Sequence, residues 1–240
     1  MKNGTLYAKR LKEVYSKLRG STPKPEPGVP TDPTEQLVVA VLGSGTSLAQ
    51  GQRAYQRLLE NMIDLNEIRV SSAGEVAAVL GNTLPEARLR AEALIRALNS
   101  VFRKEHAVSL ARLIGKGVRE SRTYLESLDG VGPYAAASVV HWSLEGHAIP
   151  VSEALLSALK AANMVHPNAT VAEVQAFLER HVPAGEARQF VLAMDAFAQS
   201  HPAPRPARDG SARSKPARRA GRSVRRHVTT PARGGARRGT

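Results

Sequence analysis

Between Leu128 and Tyr134 the chain reads Leu-Asp-Gly-Val-Gly-Pro-Tyr, with helical patterns on both sides. Gly130 and Gly132 tolerate positive φ and carry no Cβ, so a tight hairpin can form and an anion can approach its backbone. Pro133 suits the first turn of the second helix, where a missing N–H costs no intrahelical bond. Backbone N–H groups around Gly130, Val131, Gly132 and Tyr134, together with the positive end of that helix, then face one point in front of the hairpin. The chemistry on offer is anion binding, and the expected anion is a nucleic-acid phosphate. An ordinary corner between two helices is the competing reading, since Gly-x-Gly is a weak signal in a chain with 19 glycines.

Other candidate chemistry is sparse. His141, Glu145 and His147 have spacings of four and two, and imidazole with carboxylate is a metal-ligand set. No second ligand group follows at usable spacing, so the expectation is no metal and surface polar residues around Trp142. Arg88, Arg90, Lys116, Arg119 and Arg122 are candidates for a cationic cleft or, more simply, for solvated faces. No nucleophile elbow, Walker loop or dinucleotide fingerprint is present. Cysteine is absent, which excludes disulfides, thiolate zinc sites and iron–sulfur clusters.

The elements that must position the hairpin are helical. Residues 5–19 bring Leu6, Leu11, Val14, Tyr15 and Leu18 toward one face, with Gly20 as a stop. Pro23, Pro25, Pro27 and Pro30 exclude a helix in the linker that follows. Thr31 or Asp32 then caps a helix opened by Pro33 and running through Leu42. Ser72-Ala-Gly-Glu75 and Thr170-Val-Ala-Glu173 have capping-box spacing, and Pro85, Pro133 and Pro183 mark further boundaries. Long β-branched runs of period two are missing, so the fold class is all-α with ten to twelve helices.

The net charge of +13 is unevenly distributed. Residues 201–240 hold 12 Arg+Lys against one acid, Asp209, whereas residues 1–200 hold 22 bases and 20 acids. The last segment has only Val224 and Val228 as aliphatics larger than Ala. It cannot bury enough apolar surface to offset its ordering entropy and reads as a disordered basic tail. Arg218-Arg219 and Arg225-Arg226 make it a polycation suited to DNA or RNA phosphates. No apolar signal-peptide core is visible and the longest apolar run, Leu37–Leu42, cannot cross a bilayer. The expected location is cytoplasmic and nucleoid-associated, or nuclear in a eukaryote, with no membrane partner.

From the hairpin outward the chain resembles the helix-hairpin-helix DNA glycosylase superfamily, endonuclease III type, collinearly over residues 5–199. Lys9-Arg-Leu-Lys12, Pro33–Leu42, Arg90–Arg96, Leu128–Pro133 and Ile149–Glu153 carry the resemblance. It implies two lobes with a DNA cleft between them. Residues 33–149 would form a six-helix barrel lobe. Residues 1–32 would pack with the C-terminal helical lobe, 150–200, and 201–240 would remain a tail. It further implies a monomer acting on double-stranded DNA that is abasic or damaged.

The resemblance also locates departures. Breaking an N-glycosidic bond develops positive charge on the sugar, which an anionic carboxylate stabilises. Bifunctional members add a lysine that forms a Schiff base. The carboxylate position is here Ser152 and the lysine position is Tyr134. Serine retains a helix-capping hydrogen bond but not the charge. Glu153 is a weak substitute, because one residue at a helix start turns the side chain by about 100°. The position of the family's gap-filling polar side chain is held by Gly45, which cannot plug a duplex, although Ser44, Thr46 and Ser47 retain polarity toward phosphates. The iron–sulfur loop is missing near Gln199, so no cofactor is expected.

Three functions compete. The first is a DNA-binding protein on this scaffold without the standard lyase or glycosylase chemistry. The second is a divergent monofunctional glycosylase in base excision repair. The third is a nucleoid architectural protein that binds mainly through its tail.

Overall fold

Asp32 opens the folded body by accepting hydrogen bonds from the N–H groups of Thr34 and Glu35 (2.8 and 3.0 Å). Of the two candidates, Asp32 is therefore the cap. The computed structural model describes residues 4–21 and 29–201, which contain eleven α-helices, three short 3-10 turns and no strand. The four-proline linker lies outside them except for Pro30, whose carbonyl accepts a bond from the Ser143 hydroxyl (3.1 Å). No described helix is long and apolar enough to cross a membrane.

The helices are α1 (Gly4–Leu18), α2 (Pro33–Gly43), α3 (Leu48–Asn61), α4 (Leu65–Val70), α5 (Ala73–Leu80), α6 (Ala87–Glu105), α7 (Val118–Glu126), α8 (Pro133–Trp142), α9 (Glu153–Ala161), α10 (Val171–His181) and α11 (Ala187–Ser200). Both capping boxes form as their spacing predicts, at Ser72–Glu75 and Thr170–Glu173.

Two apolar cores organise these helices. The first collects residues from α2 to α8 and extends to Ala148. Helix α2 is buried almost all round, so its apolar residues form a continuous run without a polar stripe. The second core combines α1 with Trp142, Ile149, Val151 and α9 to α11. Tyr7, Leu11 and Tyr15 are the α1 residues buried there, with Tyr15 edge-on to Phe190 at 5.1 Å. Leu6 departs from expectation and is exposed. The buried face follows the i, i+4, i+8 spacing of 7, 11 and 15, and Leu6 lies about 100° away from Tyr7.

A polar node joins the two sets of helices. The Glu179 carboxylate on α10 receives both terminal nitrogens of Arg122 from α7 and the Ile149 N–H (3.2 Å). The Glu179 carbonyl accepts from His147 Nε2 at 2.9 Å. One residue thus ties α7, the link 147–151 and α10 together. Glu179→Ala leaves a half-buried guanidinium unpaired, and it is expected to lower stability by about 2–3 kcal/mol, a fall of roughly 5–10 °C in Tm by calorimetry.

Candidate nucleic-acid interface

Gly130 holds the hairpin against α6. Its φ is +83°, and a Cβ built on it would lie 2.3 Å from the Ala93 carbonyl and 3.0 Å from Ala97 N. Both the conformation and the approach require glycine. The Asp129 N–H adds a bond to the Ser100 hydroxyl (3.1 Å) on the same helix. Val131 faces inward to the first core, and its N–H is already bonded to the Leu128 carbonyl (3.2 Å). Gly132 is the opposite case: a Cβ there meets nothing within 4 Å, and its φ of −88° is ordinary. Its missing side chain serves no internal contact and leaves an open approach from outside.

Helix α8 begins at that opening. No side chain caps it, Pro133 occupies its first turn, and its first backbone bond runs from Ala136 N–H to the Gly132 carbonyl (3.1 Å). The Tyr134 and Ala135 N–H groups therefore have no acceptor within the helix. Gln175, buried on α10, donates to the Pro133 carbonyl (3.2 Å) and fixes the turn from behind.

The second polar segment is the turn 43–47. Thr46 turns its N–H and hydroxyl inward to the Gly43 carbonyl (2.9 and 3.0 Å), and Ser47 caps α3 by accepting from Gln50 N–H. Ser44 is the exposed hydroxyl. Gly45 has φ +76°, and an added Cβ would stand 3.3 Å from Arg90 Nη2. At that φ the backbone favours glycine. Arg90 is buried, where it donates to the Leu42 and Pro85 carbonyls (3.1 and 2.7 Å) and closes the C-terminal end of α2.

Three of the remaining candidate cations are paired with carboxylates. Arg122 holds Glu179, Arg88 pairs with Glu92 and Lys116 with Glu120. Arg119 is exposed. Arg218, Arg219, Arg225 and Arg226 lie outside the described residues.

Tyr134 and Ser152 meet in one small cavity of about 20 Å³, with Leu48, Trp142, Pro150, Leu155, Val191, Leu192 and Asp195. Ser152 is buried and caps α9 through a bond from Leu155 N–H (3.1 Å). Glu153 is exposed in the first turn of α9 and does not line the cavity, the position a helix dipole favours for an acid. Burial and the Asp195 carboxylate push the Tyr134 phenol well above its usual range, so it stays protonated at neutral pH. Asp195, on α11, was not singled out by its sequence context; an acid in an amphipathic helix gives no local signal of the cavity it reaches.

His141 is buried rather than superficial, edge-on to Trp142 at 4.6 Å. Among the described residues no group of three or more His, Asp or Glu can hold a metal ion. Burial lowers the His141 pKa to about 4, against a smaller opposing effect of the Ala148 carbonyl. Below the unfolded value of about 6.5 the unfolded chain binds a proton that the folded chain refuses, so stability falls with pH until about 4. By pH 5 the loss is expected to reach about 2 kcal/mol in urea titrations, and His141→Gln should remove it.

The two hairpin glycines should separate on substitution. Gly130→Ala is expected to lower stability by about 3 kcal/mol through strain and overlap. Gly132→Ala should change it by less than about 0.5 kcal/mol in urea titrations, because the added Cβ meets nothing within 4 Å.

No protein-family model matches the sequence, and no curated protein matches it. Solved structures do. A non-covalent endonuclease III–DNA complex superposes with TM-score 0.61 at 20% identity, over 82% of this chain and 86% of that one. A thermostable thymine-DNA glycosylase gives 0.59 at 18%, over 81% and 87%. The H. pylori 3-methyladenine DNA glycosylase bound to 1,N6-ethenoadenine gives 0.58 at 16%, over 81% and 97%. The chain has the fold of the helix-hairpin-helix DNA glycosylase superfamily.

Proposed function

We propose that this protein binds duplex DNA through the hairpin 130–135, preferring abasic or damaged sites, and lacks the standard lysine–aspartate chemistry of its structural neighbours. The observation that carries this reading is the pairing of Gly130, required by packing, with Gly132, required by nothing inside the molecule. A phosphate fits where Gly132 leaves the approach open, against the first-turn N–H groups of α8. The exposed Ser44 adds a hydroxyl from the turn 43–47. That neighbours of the same fold were solved on DNA supports the same partner here.

The cavity lining includes no lysine, so a Schiff base with the sugar, and with it β-lyase activity, is not expected. The basic tail, with Arg218, Arg219, Arg225 and Arg226, adds affinity without reading sequence. The protein acts as a monomer, needs no cofactor, and resides where DNA does, in a nucleoid or nucleus.

Fluorescence anisotropy with an abasic-analogue duplex and an intact one tests this, on the full chain and on the chain ended at residue 200. The shortened chain should still prefer the abasic duplex about tenfold, or about 1.4 kcal/mol. If about eight tail charges engage phosphates, the full chain should have a steeper slope of log K against log salt by about 7. A shortened chain that binds neither duplex would overturn the hairpin reading.

A further inference from the structure

The small cavity behind the hairpin holds three polar side chains from three helices. Tyr134 is the second residue of α8, Ser152 caps α9, and Asp195 reaches in from α11, while Leu48, Trp142, Leu155, Val191 and Leu192 supply apolar walls. The volume of about 20 Å³ is that of one water molecule, for which roughly 10–15 Å³ is sufficient. The groups match such an occupant. The serine hydroxyl can donate a hydrogen bond to it, since Ser152 Oγ uses only its acceptor side in capping Leu155 N–H, and the phenol oxygen can accept one from it, which leaves one lone pair of the water free. The carboxylate accepts. Gln199 Nε2 donates to Asp195 Oδ2 at 3.0 Å and orients that group from the next turn of α11.

We propose that Asp195 supplies the carboxylate that the start of α9 lacks. With Tyr134 and Ser152 it holds the water that hydrolyses the N-glycosidic bond of a damaged nucleotide. The inference rests on the DNA-binding reading above, because the nucleotide is delivered by a phosphate seated at the mouth of α8, one residue from Tyr134. The C1′–N bond breaks with its electron pair leaving on the base nitrogen, and the sugar becomes oxocarbenium-like. The Asp195 carboxylate stabilises that charge and accepts a proton as the water oxygen bonds to C1′. The base nitrogen takes up a proton from solvent, and Asp195 returns its own to solvent. The products are the free base and an abasic sugar with a C1′ hydroxyl; no redox partner is needed and the strand is not cut.

The test uses the full chain under single-turnover conditions. Four duplexes each carry one 1,N6-ethenoadenine, 8-oxoguanine, uracil or G-mispaired thymine, and abasic sites are read as alkali-labile breaks. Release from at least one duplex is expected. Asp195→Asn should slow it at least 100-fold, the scale of a positioned carboxylate, with affinity for the abasic-analogue duplex unchanged within about twofold. Adding Ser152→Asp to that variant returns a carboxylate to the cavity, and aspartate also caps, so release should recover at least about tenfold. Gln199 is exposed, so Gln199→Ala should fold normally and slow release roughly three- to tenfold. That variant carries the test should Asp195→Asn prove unstable. Binding without release from any duplex overturns the proposal, as does release indifferent to both Asp195→Asn and Gln199→Ala. Failure of the parent chain to bind any duplex overturns the DNA-binding reading and the proposal with it.

Discussion

Everything that points outward from this protein depends on how closely one turn of backbone can approach α6. At Gly130 the main chain lies flush against the Ala93 carbonyl, closer than any Cβ allows. That contact fixes where the hairpin ends, and so where α8 begins and which way its first N–H groups face. Tyr134 follows one residue later, so the cavity shared with Ser152 and Asp195 inherits the same placement. Gln175 on α10 grips the Pro133 carbonyl from the other side. The start of α8 is thereby set from both cores at once, and the two glycines divide the work. One serves the inside of the molecule and the other leaves the outside clear.

Ser152 shows that capping and charge are separable demands on one position. The start of α9 needs an acceptor for Leu155 N–H, which a neutral hydroxyl provides as well as a carboxylate. Selection for the fold alone is therefore satisfied by serine, and any need for negative charge in the cavity falls on another residue. Asp195 is where the fold allows it. It sits one turn before Gln199 on α11 and lines the same cavity as the phenol and the hydroxyl.

The chain stated the fold clearly in some places and not in others, for identifiable reasons. Capping boxes, Pro33 and the Gly-Val-Gly turn involve residues within four positions of each other, and local hydrogen bonding dictates them. The face of α1 was harder. Leu6 and Tyr7 are both apolar neighbours, and only the partner helix α11 decides that 7, 11 and 15 are buried. The role of Arg90 was invisible for the same reason. Its guanidinium closes α2 across 48 residues of sequence, which no periodicity reports. His141 is a polar residue that follows Ala135–Val140, where only Ser138 is polar, and the burial of that run carries the imidazole inside. Asp195 is the extreme case: its significance comes wholly from two residues on other helices.

Charge placement gives the last constraint. Residues 1–200 are almost neutral, and several of their cations are consumed internally, Arg90 under α2 and Arg122 on Glu179. Such a body exerts little long-range attraction on a polyanion, because fields from balanced charges are screened within about 10 Å. Any preference it has for one DNA site over another must then arise at contact, from N–H geometry and shape. Residues 201–240 carry the opposite balance, 12 cations and one acid, which favours encounter with phosphate anywhere along a duplex. On the DNA-binding reading, raising the salt concentration therefore weakens encounter much more than discrimination. The ratio of affinities for damaged and intact DNA should persist where the affinities themselves have fallen.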